Sequence, residues 1–454
     1  MRKWKLGLAT AVALALVAGY LAFRPDRVAK VAAGVVAETI CSSVFVSGLT
    51  AKPTLDEALG ALMGPATILA RYTVDAGEKR VEARFGLVTY ASARFSPGYG
   101  CRLDAANNAP LPDAPPAETT VADDVFAPTS PVTSTDPGIN AALDRVFDER
   151  ATEKPKHVKA VVVVKNGRVI AERYAPGFSI DTPLRSFSIA KSVTNALLAL
   201  LVRDGRLRMD QPLDPPEWRE PGDSRAKITF EQLLRMESGL DAAETDSGFD
   251  PVSRMLYFEP DMAGFVASRP LKSKPGEIWE YTSADTLLLD RWLTTTLGGP
   301  ASLDAFAKRE LFEPLGMRNI TLEFDGRGVL VGSERVFATP RDFARFGGLF
   351  LNDGVAPDGR RLLPEGWVAW SRRSTLGAPY GAGFWTLDGP SKVASRWQGA
   401  GFPKDGFFAS GNLGQRIYIV PSQKLVIARF GYSAPPTYGI FDDIALIVAA
   451  AKAE

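Results

Sequence analysis

Between Ala109 and Pro137 the chain carries seven prolines, at 110, 112, 115, 116, 128, 131 and 137, among several Thr and Asp residues. Proline fixes its own φ and has no N–H to donate, so neither a helix nor a central strand runs through such a stretch. It reads as a linker or as a connection lying along a surface. The 454 residues are thereby divided unequally. Residues 30–108 form a small unit of short helical and strand patterns, such as Arg80–Tyr90, and residues 138–454 form one long module without an internal repeat. With 46% apolar residues, the chain has the means to bury a large core.

Residues 1–29 stand apart from both. Arg2, Lys3 and Lys5 precede an apolar run of 18 residues, Leu6–Phe23, which Arg24, Pro25, Asp26 and Arg27 follow. The run is at the short end for a membrane-spanning helix and long for the apolar part of a signal peptide. Positive charge ahead of it keeps the N-terminus cytoplasmic. No small-residue cleavage site follows directly; Ala32-Ala33-Gly34 lies downstream. An uncleaved anchor is the leading expectation, with a cleaved signal second and a buried soluble helix third. The first two put the protein in the cell envelope, anchored in the inner membrane and facing the periplasm, or exported. Disulfides persist there, so Cys41 and Cys101 are expected to pair, a bridge worth about 4 kcal/mol by loop-closure entropy. Two unpaired buried thiols are the alternative.

Composition removes several chemistries. A net charge of +1 leaves no basic stripe for nucleic acid. One histidine and two cysteines cannot make a Cys/His zinc site, so no metal is expected. Neither a P-loop nor a G-x-G-x-x-G after a strand occurs, and no cofactor is implied. The G-x-S-x-G elbow is missing as well. A Ser-His-Asp triad would have to use His157, which opens a strand among Lys154, Lys156 and Lys159 and reads as a surface histidine. Hydrolysis in this chain has to work without imidazole.

The long module opens with an amphipathic helix, Ile139–Arg150. A hairpin follows, Val158–Val164 and Arg168–Tyr174, joined by Asn166-Gly167. Ser188–Val202 is helical, with Val193, Leu197, Leu200 and Leu201 on one face. Thr229 and Gln232 form a capping box for Phe230–Met236; Ser283–Thr296 and Pro340–Leu351 are further helices. Gly406–Ala409, Gln415–Val420 and Lys424–Phe430 are strands, and Asp442–Lys452 closes the chain as a helix. Strands at both ends with helices between them predict an α+β fold. Its central antiparallel sheet is assembled from both termini and carries an inserted, mostly helical lobe, with a ligand cleft between the two.

Ser188-Ile189-Ala190-Lys191 puts a hydroxyl and an amine on one helix face, with Cβ atoms about 5–6 Å apart. Burial among apolar neighbours lowers a lysine pKa and frees the amine to take a serine proton. Thr194 and Asn195, one turn on, either orient that amine or mark a wetter face. Ser224-Arg225-Ala226-Lys227 has the same spacing but sits in a charged loop without an apolar helix behind it. Tyr281-Thr282-Ser283 lies where a loop enters a helix, and a phenol near a lysine relays protons. Ala409-Ser410-Gly411-Asn412 stands at a strand end, where glycine admits close approach and the next N–H can face an oxyanion. Asp246 and Asp250 read as part of a solvated loop, with a cleft-lining role for a substrate amine as the alternative.

These three motifs, in this order, resemble the serine β-lactamase and penicillin-binding-protein-like hydrolases, nearest the branch of 6-aminohexanoate-dimer hydrolases. Leu233–Leu240, Pro340–Gly347 and Gly411–Gln415 extend the resemblance, which covers about residues 138–450. It implies a β-lactamase-like fold in which Ser188 is the acylated nucleophile, Lys191 its activating partner and Tyr281 the relay to the leaving group. The backbone N–H groups of Ser188 and Asn412 would form the oxyanion hole, with Ser283, Ser410 and Gly411 binding substrate. Ser283 stands where the motif often has Asn, and Ala409-Ser410-Gly411 replaces Lys-Thr-Gly. Without that cation an anionic substrate loses about 1.5–3 kcal/mol, which favours neutral or cationic esters and amides. The expected partner is a small-molecule ester or amide, besides the membrane at the N-terminus. A β-lactam-reactive penicillin-binding enzyme or sensor is the first alternative, an inactive binding module the second, and oligomeric state is not legible.

Overall fold

The computed structural model describes residues 24–86, 89–113, 126, 128–150, 154–435 and 438–453; the run Leu6–Phe23 and part of the proline-rich stretch lie outside them. A helix, Pro25–Phe45, comes first, with proline in its first turn and Asp26 at the positive end of the dipole. It begins five residues ahead of the expected start of the small unit at residue 30. Asp26–Phe45 is long and apolar enough to cross a membrane, with mean hydropathy 1.6, but 67% of that stretch is buried inside the protein. Val36, Ala37, Ile40 and Cys41 cover a four-stranded antiparallel sheet. Its strands β1 (Ala70–Asp75), β2 (Arg80–Phe85), β3 (Thr89–Ser96) and β4 (Gly100–Leu103) lie in sequence order. Cys41 in the helix and Cys101 in β4 are disulfide-bonded across 60 residues of chain. A Cβ at Gly34 would stand 2.1 Å from the Tyr257 carbonyl oxygen, so glycine is what allows the helix to approach the long module there. Gly34 is thus a packing position of the helix.

The long module builds its sheet from both ends. β5 (Val158–Lys165) and β6 (Arg168–Tyr174) form the Asn166-Gly167 hairpin, with φ of 50° and 78° at its two turn residues. β7 (Leu184–Arg185), β8 (Thr321–Leu322) and β9 (Val336–Ala338) make a small sheet ordered β7-β9-β8. β10 (Trp385–Thr386), β11 (Phe407–Gly411), β12 (Gln415–Val420) and β13 (Leu425–Gly431) complete an antiparallel sheet ordered β10-β11-β12-β13-β5-β6. First and last strands meet where β13 pairs with β5, Val426 opposite Val164. Val158–Val164 is buried throughout because both faces are covered. Val162 and Val164 join the core under the helical lobe, while Val161 and Val163 pack beneath the helices Pro137–Phe147 and Ile440–Lys452. The α+β architecture expected from the pattern is the one observed.

One local difference has a physical cause. Phe187 takes a left-handed φ of 45°, so Phe187–Ile189 tightens into a 3-10 turn and the helix starts at Ala190 instead of Ser188. The described part of the proline-rich stretch hugs the module. Phe126 and Val132 accept N–H bonds from Val169 and Glu172 of β6 (3.2 and 2.8 Å), and Arg341 donates to the Pro128 and Ser130 carbonyls.

Where the Pro25–Phe45 helix meets β7 and β9, charges are buried. Arg185 donates to Glu38 (2.8 Å) and Glu334 (2.7 Å), and Arg335 lies 3.3 Å from Glu334 and 3.5 Å from Glu38. Burial opposes ionisation of Glu38, but Arg185 and Arg335 outweigh it and hold the carboxyl below the usual range. A third carboxyl, Glu323, accepts the Ser42 hydroxyl and the Cys101 N–H, each at 2.7 Å. Burial, then the charge on Glu38, pushes Glu323 up to about 8. Two arginines thus face two carboxylates and one neutral acid.

Glu38→Ala leaves two guanidinium groups short of a partner in a dry interior and should cost about 3–5 kcal/mol; urea unfolding measures it, and a loss below about 1 kcal/mol would contradict a matched cluster. Denatured, unreduced protein should titrate no free thiol, and reduction should remove about 2–4 kcal/mol of stability.

Candidate active site

Ser188 stands half-buried on the 3-10 turn between β7 and the Ala190–Arg203 helix, and Lys191 lies on the first turn of that helix. The lysine is 1% exposed. Its Nζ is 2.9 Å from Ser188 Oγ, 2.8 Å from Ser283 Oγ and 3.0 Å from the Ser333 carbonyl oxygen. A neutral amine has two N–H bonds and one lone pair. The Ser333 carbonyl can only accept, and with one N–H toward it and one toward Ser283 the lone pair faces Ser188. Burial pushes the Lys191 ammonium below the ordinary lysine range, against the pull of Glu244, Glu334, Asp246 and Asp290.

Tyr281 completes the cluster. Lys191 Nζ sits 4.9 Å from the centre of its ring. Burial, then Glu244, drive the phenol well above its usual range, while the Ser188 hydroxyl and Arg416 pull the other way. The ring is fixed edge-on to Tyr380 (5.5 Å, 85°) and tilted on Trp385 (5.4 Å, 32°). Ser283 opens the Ser283–Leu297 helix, and its N–H donates to Glu244. At the end of β11, Ser410 and Gly411 run beside the Ser188 turn: a Cβ at Gly411 would come within 2.3 Å of the Ser186 carbonyl oxygen. Asn412 follows, its side-chain amide donating to Asp246 (3.1 Å).

Several residues weighed in the sequence lie elsewhere. Thr194 donates to Asp290 (2.8 Å), and Asn195 bonds Ser371, the Ala382 carbonyl and Trp367. Both are buried anchors of the helix, neither a wet face nor partners of Lys191. Ser224 and Lys227 are exposed on a separate 3-10 turn. His157 is half-buried, 3.8 Å from Glu57. Asp250 is no solvated loop residue: it is buried and caps the Pro251–Tyr257 helix through Ser253. Asp246 faces the cleft beside Asn412. Among the described residues, no group of three or more His, Cys, Asp or Glu side chains is arranged to hold a metal ion.

Three contributors escaped the sequence reading. Arg416 is directly opposite Ser410 across β11 and β12, and its guanidinium donates to the Gly411 (2.9 Å) and Gln415 (2.7 Å) carbonyls. Positive charge therefore reaches the third motif from the neighbouring strand, and only cross-strand register could have revealed it. Glu244 sits two residues before Asp246 in a stretch without a motif. The Tyr380–Trp385 clamp comes from a segment with no sequence link to Tyr281.

A half-buried serine 2.9 Å from a buried lysine amine, with a phenol beside both and a cavity opening at the serine, is a layout suited to a serine hydrolase. The family model described as Beta-lactamase matches residues 143–451, and the chain belongs to that family. It is 25% identical over 327 residues to the 6-aminohexanoate-dimer hydrolase of Paenarthrobacter ureafaciens, covering 66% of this chain and 81% of the relative. Over 283 residues it is 27% identical to penicillin-binding protein 4 of Amycolatopsis lactamdurans, covering 55% and 71% of the two chains. In fold it is similar to a penicillin-binding protein homologue from Caulobacter crescentus (TM-score 0.53, 19% identity, 70% of this chain and 99% of that one).

Asp285, one turn into the Ser283–Leu297 helix, has one oxygen bonded by Ser238 (2.7 Å) and the other without a partner. Burial pushes its carboxyl from 3.8 up to about 8. An acid raised on folding contributes stability that is complete below the unfolded pKa and is lost as pH rises through the folded one. Asp285→Asn should therefore flatten the fall in stability between about pH 4 and pH 8, gaining roughly 1–3 kcal/mol over wild type at pH 8; thermal unfolding across pH reads this, and parallel curves would contradict it.

Proposed function

We propose that the protein hydrolyses an ester or amide bond of a small molecule through an acyl-serine intermediate, as a carboxylesterase or an amidase of the 6-aminohexanoate-oligomer type. The observation that carries this reading is the buried Lys191 amine, 2.9 Å from Ser188 Oγ and held on its other side by Ser283 and Ser333. Lys191 takes the Ser188 proton as Oγ forms a bond to the substrate carbonyl carbon. The oxyanion meets the backbone N–H groups of Ser188 and Asn412. Tyr281, protonated at rest, gives its proton to the leaving alkoxide or amine as that bond breaks, and the Lys191 ammonium restores it. Water then attacks the acyl carbon by the reverse relay and frees the acid. Ser283 holds the amine, and Ser410 and Gly411 line the substrate edge.

The resemblance to the 6-aminohexanoate-dimer hydrolase supports the amide arm. The relative named a penicillin-binding protein favours a second reading, stable acylation by β-lactams. The Cys41–Cys101 bridge supports an oxidising compartment, with the chain exported or anchored facing the periplasm. Residues 30–108, 109–137 and 138–454 are the proposed small domain, linker and hydrolase domain.

A fluorophosphonate probe should label Ser188, and turnover of a chromogenic short-chain ester or an aminohexanoate dimer should vanish in Ser188→Ala. Lys191→Met should lower kcat/KM about 10²–10⁴-fold, while Ser224→Ala leaves it unchanged. A persistent adduct with a chromogenic cephalosporin in place of turnover would establish the second reading, and no labelling would leave an inactive binding module. The pH profile of kcat/KM should rise with a midpoint below 10.5, as Lys191 loses its proton. It should not fall again before pH 10, because Tyr281 keeps its proton there; an acidic optimum would contradict an amine base.

A further inference from the structure

A cavity of about 410 Å³ opens at Ser188. One wall comes from the hydrolase module, with Glu244, Asp246 and Asn412 near the nucleophile and Val252 and Leu256 further in. The opposite wall is apolar and comes from outside the module: Val31 and Val35 of the Pro25–Phe45 helix, Leu62, Met63 and Ala66 of the segment before β1, and Phe85 of β2. Leu69 and Phe249 stand exposed at its rim. Tyr281 is not among its lining residues.

We infer that the N-terminal unit supplies the acyl-chain site of the enzyme, and that the substrate is an ester or amide of a medium-length aliphatic acid. This rests on the hydrolase reading above and names its substrate. An apolar surface that ends at a nucleophile fits an aliphatic group attached to the reacting carbonyl. Tyr281 touches Ser188 but packs on Tyr380 and Trp385, which line no part of this cavity. The proton donor proposed for the leaving group and the apolar wall thus flank Ser188 from different sides, and the aliphatic group is assigned to the half that stays on Ser188. A methylene fills roughly the ~30 Å³ share of a water molecule, so an octanoyl chain fits within the volume. Each methylene moved out of water raises kcat/KM about two- to fourfold.

The full chain is assayed with p-nitrophenyl esters from acetate to octanoate, and in parallel with acetates of straight-chain alcohols of matching length. Turnover should climb with the acyl series and stay level with the alcohol series. The octanoate-to-acetate ratio of kcat/KM should fall at least tenfold in Ala66→Trp and in Met63→Glu. That ratio is internal to each preparation, so a poorly folded fraction cancels. Glu78→Ala, on the far hairpin of the same unit, should keep the wild-type ratio. Fluorophosphonate labelling of Ser188 with a flat acyl profile overturns this inference alone, as does a climb in the alcohol series only or a ratio untouched by both cavity variants. Absence of labelling overturns the hydrolase reading and this inference with it.

Discussion

The buried exchange between Glu38 and Arg185 holds the two parts of the molecule in one geometry. Arg185 is three residues ahead of Ser188, and its guanidinium bonds both Glu38 of the N-terminal helix and Glu334 of the module. Taking four charges out of water is costly, and the arrangement persists because they cancel and both terminal nitrogens of Arg185 are bonded to carboxylates, although its Nε has no partner among the described residues. Glu323 respects the same balance by keeping its proton: a third carboxylate would have no cation left to face. The Ser188 turn, the N-terminal helix and β4 are therefore fastened at one small, dry spot.

From that spot the chemistry of the site follows. Phe187, stacked under Arg185 at 4.8 Å, accepts a left-handed backbone that costs about 1–2 kcal/mol, and this sets Ser188 ahead of the regular helix. Lys191 then points back into the cleft with two acceptors and a serine around its nitrogen. Its surroundings contain more carboxylates than cations, yet desolvation dominates and lowers its affinity for a proton. Burial acts on Tyr281 in the opposite sense, keeping the phenol neutral. One environment thus lowers the proton affinity of an amine and raises that of a phenol, side by side and without imidazole.

Much of the fold was legible because it rests on local signals. Asn166-Gly167 announced its hairpin, Thr229 and Gln232 their capping box, and the β-branched run Val158–Val164 the first strand of that hairpin. The Ser188–Lys191 pair was legible for a similar reason: a spacing of three residues brings the two side chains together, here across the junction of a 3-10 turn and a helix. What escaped depends on long-range placement. Arg416 reaches the third motif only through the register of β12 on β11, and Glu244 only through a loop folding over Ser283. The role of residues 25–108 was invisible, since no local pattern says which surface a helix will cover. Apolar residues that suit a bilayer also suit a protein groove, and hydropathy alone does not separate the two destinations.

The position of the Cys41–Cys101 bond carries a consequence for the order of events in the life of the chain. It joins the helix that walls the cleft to the strand whose backbone is held by Glu323, so it guards the wall and leaves the Ser188 turn untouched. A polypeptide with both thiols reduced would already hold the Ser188 turn while the helix was tied to β4 by packing alone. Oxidation would then add the covalent tie last, after the local geometry of Ser188 and Lys191 is in place.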